Sequence, residues 1–174
     1  MESLTCYSFI HSNRWRKKSW NFTQQYRLEP VTFMVSKDSG AKTLADMDGF
    51  VIGVGQGTTT AELIEQYAKD KGIDVNYEVQ DFQYISDGVA ALKTGQIDAY
   101  SVDRTGLIAY MDDSMMLTED AFGVQDIGIA LKLGNDELTK FMDDTLTELK
   151  ESGRLDELKA KWGILTDEEV AAMQ

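Results

Sequence analysis

Two hydrophobic rhythms alternate along this chain. Short β-branched and aromatic runs, "VTFMVS" (31–36), "FVIGV" (50–54), "DVNYEV" (74–79), "IDAYSV" (97–102) and "DIGIALK" (126–132), predict strands. In the last of these, Ile127, Ile129 and Leu131 face one way. Stretches of helical period lie between and after them. "TLADMDG" (43–49) predicts a helical turn, and a helix runs through about Lys71 with Leu63, Ile64 and Tyr67 inward and Gly72 as its C-terminal cap. Residues 84–95 place Ile85, Val89 and Leu92 on one face, and 105–113 predict a short helix. Residues 135–153 form the strongest amphipathic pattern. Asn135 suits its N-cap, Leu138, Phe141, Met142, Thr145, Leu146 and Leu149 make its stripe, and Gly153 ends it. A last helix is predicted over 155–163. Strands alternating with helices of this length indicate an α/β fold with a parallel, Rossmann-like sheet.

The stretch "GVGQGTTTAE" (53–62) joins a predicted strand to a predicted helix. A dinucleotide fingerprint would need a small residue at position 58, where Thr58 stands, and a phosphate loop would need a lysine before its Ser/Thr. Neither nucleotide pattern is met. The sequence instead fits a capping box, with Thr59 at the N-cap and Glu62 at the third helical position, entered through a tight turn at Gly57. The free N–H groups of such a first turn can receive a carboxylate, helped by the helix dipole by about 0.3–1 kcal/mol. A well-capped strand-to-helix turn with no ligand fits the same residues.

Asp103 follows the strand 97–102, at the carboxyl end where ligands sit in open α/β sheets. A carboxylate there can hold an ammonium group, and it can equally serve as the N-cap of the next helix. An anion-binding helix end beside a carboxylate would read the two charges of a zwitterion. That pairing points to an amino acid.

Composition adds limits. The net charge of −13 over 174 residues argues against nucleic acid as the partner. Arg14, Arg16, Lys17, Lys18 and Arg27 against Glu2 and Glu29 make the first thirty residues basic, unlike the acidic remainder. The lone cysteine, Cys6, excludes an internal disulfide and a cysteine zinc cluster, and too few residues precede it for a lipoprotein leader. The single histidine, His11, lies in the same basic start. Met115–Met116 suits a loop contact or a core edge, and Asp112–Asp113 and Asp143–Asp144 suit solvated faces. No metal or cofactor site is expected.

Three blocks, "KTLADMDGFVIGVGQGTTTAE", "ISDGVAALKTGQIDAYSVD" and "FGVQDIGIALKLGNDELTKFMDDTLTELKESGRLDELKAKWG", are similar in order and spacing to the family 3 extracellular solute-binding proteins. These are the amino-acid receptors of ABC importers, with the type II periplasmic-binding fold. The resemblance runs from about residue 16 to 165. It implies a remnant of a first lobe over residues 1–29, a first crossover over 30–38 and a second α/β lobe over 39–122. A return crossover over 123–132 and C-terminal helices over 133–174, packing on the first lobe, would follow. The second lobe is then complete and the first largely missing. By the same resemblance Thr58 and Thr59, after Gly57, hold the ligand carboxylate and Asp103 its ammonium. Arg16, six residues before Phe22, matches the arginine that clamps the carboxylate from the first lobe. Residues 1–15 fit the family poorly, which is expected if a frameshift or truncation precedes re-entry near Arg16.

The implied function is a binding protein delivering an amino acid to a membrane permease, placed outside the cytoplasm. An enzyme on the same scaffold, such as a cyclohexadienyl dehydratase, and a sensory ligand-binding module are the alternatives. With one lobe complete, ligand affinity is expected to fall, and apolar faces of the last helices are expected to favour self-association.

Overall fold

The structure is a computed structural model that describes residues 7–11 and 18–173. Its strands are β1 (Tyr7–His11), β2 (Trp20–Phe22), β3 (Arg27–Ser36), β4 (Phe50–Gly55), β5 (Tyr77–Phe82), β6 (Ala99–Asp103), β7 (Met115–Leu117) and β8 (Phe122–Lys132). Its α-helices are α1 (Thr60–Lys71), α2 (Ile85–Lys93), α3 (Arg104–Ile108), α4 (Asp136–Glu151), α5 (Arg154–Lys161) and α6 (Asp167–Ala172). The chain divides into two compact units, residues 30–124 with 172–174, and residues 1–29 with 125–171. The chain crosses between them within β3 and within β8.

In the unit built on residues 30–124, β4 lies parallel to both β5 and β6, as the strand–helix alternation predicts. Pairing Phe50 with Tyr77 and Ile52 with Ala99 fixes the register. The expectation of a wholly parallel sheet fails at β3, which runs antiparallel to β6 from Val31 opposite Asp103 to Val35 opposite Ala99. β7, where the sequence suits a loop contact or a core edge, is a three-residue strand antiparallel to the end of β3. Met115 on it is buried.

Two apolar layers enclose this sheet. One gathers Phe33, Leu44, Met47, Ile52, Val54, Ile64 and Phe122 on the α1 side, and the other gathers Met34, Val89, Leu92, Ile97, Tyr100 and Leu107 around α2 and α3. Successive β3 residues, Phe33 and Met34, therefore face opposite cores, as strand pleating requires. Residues 74–76, predicted as strand, instead have no regular structure. Asp48 accepts the Asn76 N–H at 2.9 Å, Gly49 donates to the Asn76 carbonyl, and β5 runs on to Phe82. α3 ends at Ile108, short of the predicted 113. Asp112 instead accepts the N–H and hydroxyl of Ser114 in a local turn and pairs with Lys93 at 2.6 Å.

In the other unit, β8 is the scaffold. β1 pairs with it antiparallel from Tyr7 opposite Ala130 to His11 opposite Ile127, and β2 pairs from Trp20 opposite Lys132 to Phe22 opposite Ala130. Ala130, on the face opposite Ile127 and Leu131, is as buried as they are, so β8 lacks the one-sided burial that its sequence predicts. α4 begins where Asn135 predicts, with its side chain accepting the Leu138 N–H. Its polar side makes the ties to the N-terminal segment. Asn21 donates to Asp136 and Thr139, the Gln24 N–H donates to Asp143 at 2.6 Å, and Lys150 donates to the Gln24 side chain and the Gln25 carbonyl. Of its predicted stripe, Leu146 alone is buried, and Phe141 is 63% exposed. α6, unpredicted, is held by Lys159, which is buried and bonded to Asp167 at 3.0 Å.

Candidate functional site

The glycines of "GVGQGTTTAE" have three separate causes. A Cβ at Gly53 would lie 2.6 Å from Ile97 Cδ1 and 2.8 Å from Tyr100 Cδ2, so only glycine lets those side chains close over β4. A Cβ at Gly55 would lie 2.9 Å from Thr58 Cγ2. Gly57 adopts φ +72°, the left-handed conformation that turns the chain into α1.

Thr59 occupies the N-cap position of α1, but the predicted capping box does not form. With φ −90° and ψ 9° Thr59 lacks the extended backbone of a capping residue, and its side chain makes no capping bond. Thr58 takes over part of that work. Its Oγ1 donates to the Gly55 carbonyl at 2.7 Å and accepts the Thr60 N–H at 3.4 Å. Thr60 is buried, whereas Gly57, Thr58 and Thr59 are exposed. The loop that leads into α1 is therefore exposed up to Thr59, and burial begins at Thr60.

Asp103 ends β6 and stands at the N-cap position of α3. Its side chain makes no capping bond, so the N-cap alternative is not the one adopted. The Asp103 residue is exposed. Because Val54 of β4 lies opposite Ser101 of β6, the two strands finish side by side, about 4.8 Å apart. The loop 56–59 and Asp103 thus leave adjacent strand ends at the same carboxyl edge of one sheet. The Gln56 N–H, bonded to the Phe82 carbonyl at 2.8 Å, ties this loop to the end of β5 as well. Arg16 lies outside the described residues.

Sequence reasoning missed the anchor beneath α1. Asp120 is buried, accepts the Leu44 N–H at 2.8 Å and accepts the Tyr67 hydroxyl at 2.9 Å. Burial raises the Asp120 carboxyl above its usual range. Burial, then the bond to Asp120 and its charge, pushes the Tyr67 phenol up to about 12. The Tyr67 ring stacks on Phe122 at 5.0 Å, and Leu63 fills the space where a Cβ of Gly123 would stand. No spacing rule marks Asp120, because its partners lie far away in the chain. Among the described residues, no group of three or more His, Cys, Asp or Glu is placed to hold a metal, and no helix is long and apolar enough to cross a membrane.

The sequence profile of the bacterial extracellular solute-binding proteins, family 3, matches residues 6–164. The chain belongs to this family. The match begins at residue 6, so it takes in residues 6–15, expected to precede re-entry into the family frame near Arg16. The L-cystine-binding protein TcyJ of Escherichia coli (strain K12) is 34% identical over 152 residues, covering 84% of this chain and 55% of that protein. An ancestral arginine-binding protein bound to arginine shares 28% identity at a TM-score of 0.65, covering 88% of this chain and 68% of that one. An ancestral cationic amino-acid solute-binding protein shares 25% identity at a TM-score of 0.71, covering 88% and 66%. The fold is that of the type II periplasmic-binding proteins. As a family 3 member, the chain spans about half the length of the curated relatives it matches.

Proposed function

We propose that this chain acts in the substrate-binding component of an amino-acid ABC importer and holds one side of a zwitterionic amino acid. Gly57, Thr58 and Thr59 with the first turn of α1 form the carboxylate side, and Asp103 forms the ammonium side. By family resemblance Arg16, outside the described residues, is assigned as the cationic partner of the same carboxylate. The observation that carries this reading is the shared sheet edge. A helix N-terminus and an exposed carboxylate leave neighbouring parallel strands, which suits two opposite charges borne by one carbon. A charge-assisted hydrogen bond to such a carboxylate contributes about 1.5–3 kcal/mol. The amino-acid-binding relatives support the same reading.

The proposal involves no covalent step. Its partner is an ABC permease in the membrane, its place is outside the cytoplasm, and the exposed Phe141 of α4 favours self-association. Ligand burial sets affinity, so this chain should bind more weakly than relatives of which it covers only 55%. Calorimetric titration of the 174-residue chain with each standard amino acid and with cystine tests the reading. Saturable binding of at least one of them supports it, and no heat of binding from any would refute it.

A further inference from the structure

Resting on the binding reading above, we infer that Thr58 is a positioning residue for the carboxylate side, and that the ligand itself is met by Thr59 and the amides of the first α1 turn. A threonine hydroxyl has one proton to give. The Thr58 hydroxyl has two acceptors in reach, the Gly55 carbonyl at 2.7 Å and, farther off, the Thr60 hydroxyl at 3.0 Å, and the same oxygen accepts the Thr60 N–H at 3.4 Å. The hydroxyl is therefore occupied on both its donor and acceptor sides by the two ends of the loop. One end is the last residue of β4 and the other is the first residue of α1.

A second observation, steric and independent of the hydrogen bonds, fits the same role. The Thr58 methyl group sits where a Cβ on Gly55 would have to go, at 2.9 Å, so the glycine and the threonine are matched in shape. Between them Gly57 at φ +72° makes the turn. Residues 55–60 are thus clipped closed by one side chain that faces the loop's own backbone. Thr59, next in sequence and exposed, makes no capping bond. Its hydroxyl is the one left at the mouth of α1. The division of labour follows from these placements: Thr58 holds the Thr60 N–H and so sets the direction of the first turn, and Thr59 and the N–H groups of Ala61 and Glu62 touch the anion.

The test compares Thr58→Val, which keeps the shape and removes the hydroxyl, with Thr58→Ser, which keeps the hydroxyl. Amide hydrogen exchange is followed in the ligand-free chain, and binding of the best amino acid from the calorimetric panel is measured. Thr58→Val is expected to speed exchange at the Thr60 amide about tenfold and weaken binding about tenfold, with little change in unfolding midpoint. Thr58→Ser is expected to restore both to near the wild-type value, and Thr59→Val to weaken binding while leaving Thr60 exchange unchanged. Unchanged Thr60 exchange in Thr58→Val would overturn the clip, whether or not any amino acid binds. Altered exchange with unchanged binding would overturn its role in positioning. A wild-type chain that binds no amino acid would instead remove the binding reading, while the exchange result still decides the clip.

Discussion

The Tyr67 hydroxyl donates to Oδ1 of the buried Asp120 at 2.9 Å, and Oδ2 of the same carboxylate accepts the Leu44 N–H at 2.8 Å. One side chain therefore ties α1 to the turn that precedes β4. Removing it strands a buried N–H and a phenol, whereas removing the phenol hydroxyl alone leaves the carboxylate one partner short. Asp120→Ala should cost about 2–4 kcal/mol and Tyr67→Phe about 1 kcal/mol. Urea unfolding checks this, with midpoints falling in that order at unchanged slope.

The same pair sets an alkaline signature. An ordinary tyrosine ionises near 10, and Tyr67 is pushed up to about 12, chiefly by burial and then by Asp120. The folded state therefore holds the phenolic proton more tightly than the unfolded state. Its contribution is full below about pH 10 and is lost as pH rises through about 12. Asp120→Asn removes the negative charge and should bring the ionisation of this tyrosine to lower pH. A spectrophotometric titration with the same tyrosinate curve in both proteins would contradict the assignment.

Glycine positions separate steric from conformational need. Gly88 lies in α2 against the Tyr100 ring, where a Cβ would overlap ring carbons, and Gly95 has φ +73° with open space around it. Gly88→Ala should cost about 3 kcal/mol or more through overpacking, and Gly95→Ala about 1 kcal/mol through backbone strain alone. Chemical denaturation of both variants distinguishes the two causes. Equal costs would contradict the packing of Tyr100 on α2.

Phe141 tests the proposed self-association. It is 63% exposed on the apolar side of α4, whose polar side bonds to Asn21 and Gln24. Phe141→Asp should lower the concentration-dependent mass seen by sedimentation, with little effect on stability because the side chain is not part of a core. An unchanged mass distribution would show that this face plays no part.

Much of the architecture was legible because hydrophobic period is a local signal. β4, α1, α2, β6 and α4 lie where their patterns place them, and Gly72 caps α1 at φ 66° as expected. The failures are non-local. β7 has three residues and exists through its pairing with Met34–Ser36 of β3, and residues 74–76 leave the strand because Asp48 captures the Asn76 amide. The strip of α4 that carries its tertiary hydrogen bonds is polar, so a hydrophobic pattern points to the opposite face. At the site, sequence located the loop 57–59 and Asp103 at one sheet edge. It mistook the cap, because a Thr–Glu spacing cannot show that Thr58 will turn inward onto Gly55.

In the proposed binding mode, Asp103 and the mouth of α1 hold the two charges of one amino acid. Calorimetric titration of wild-type and Asp103→Ala chains with the amino acid that binds best tests it most directly. Saturable binding to the wild type is expected, with an affinity at least about tenfold weaker in the variant, in line with losing a charged hydrogen bond. Equal affinity in the two proteins, or no binding by the wild type, would contradict it.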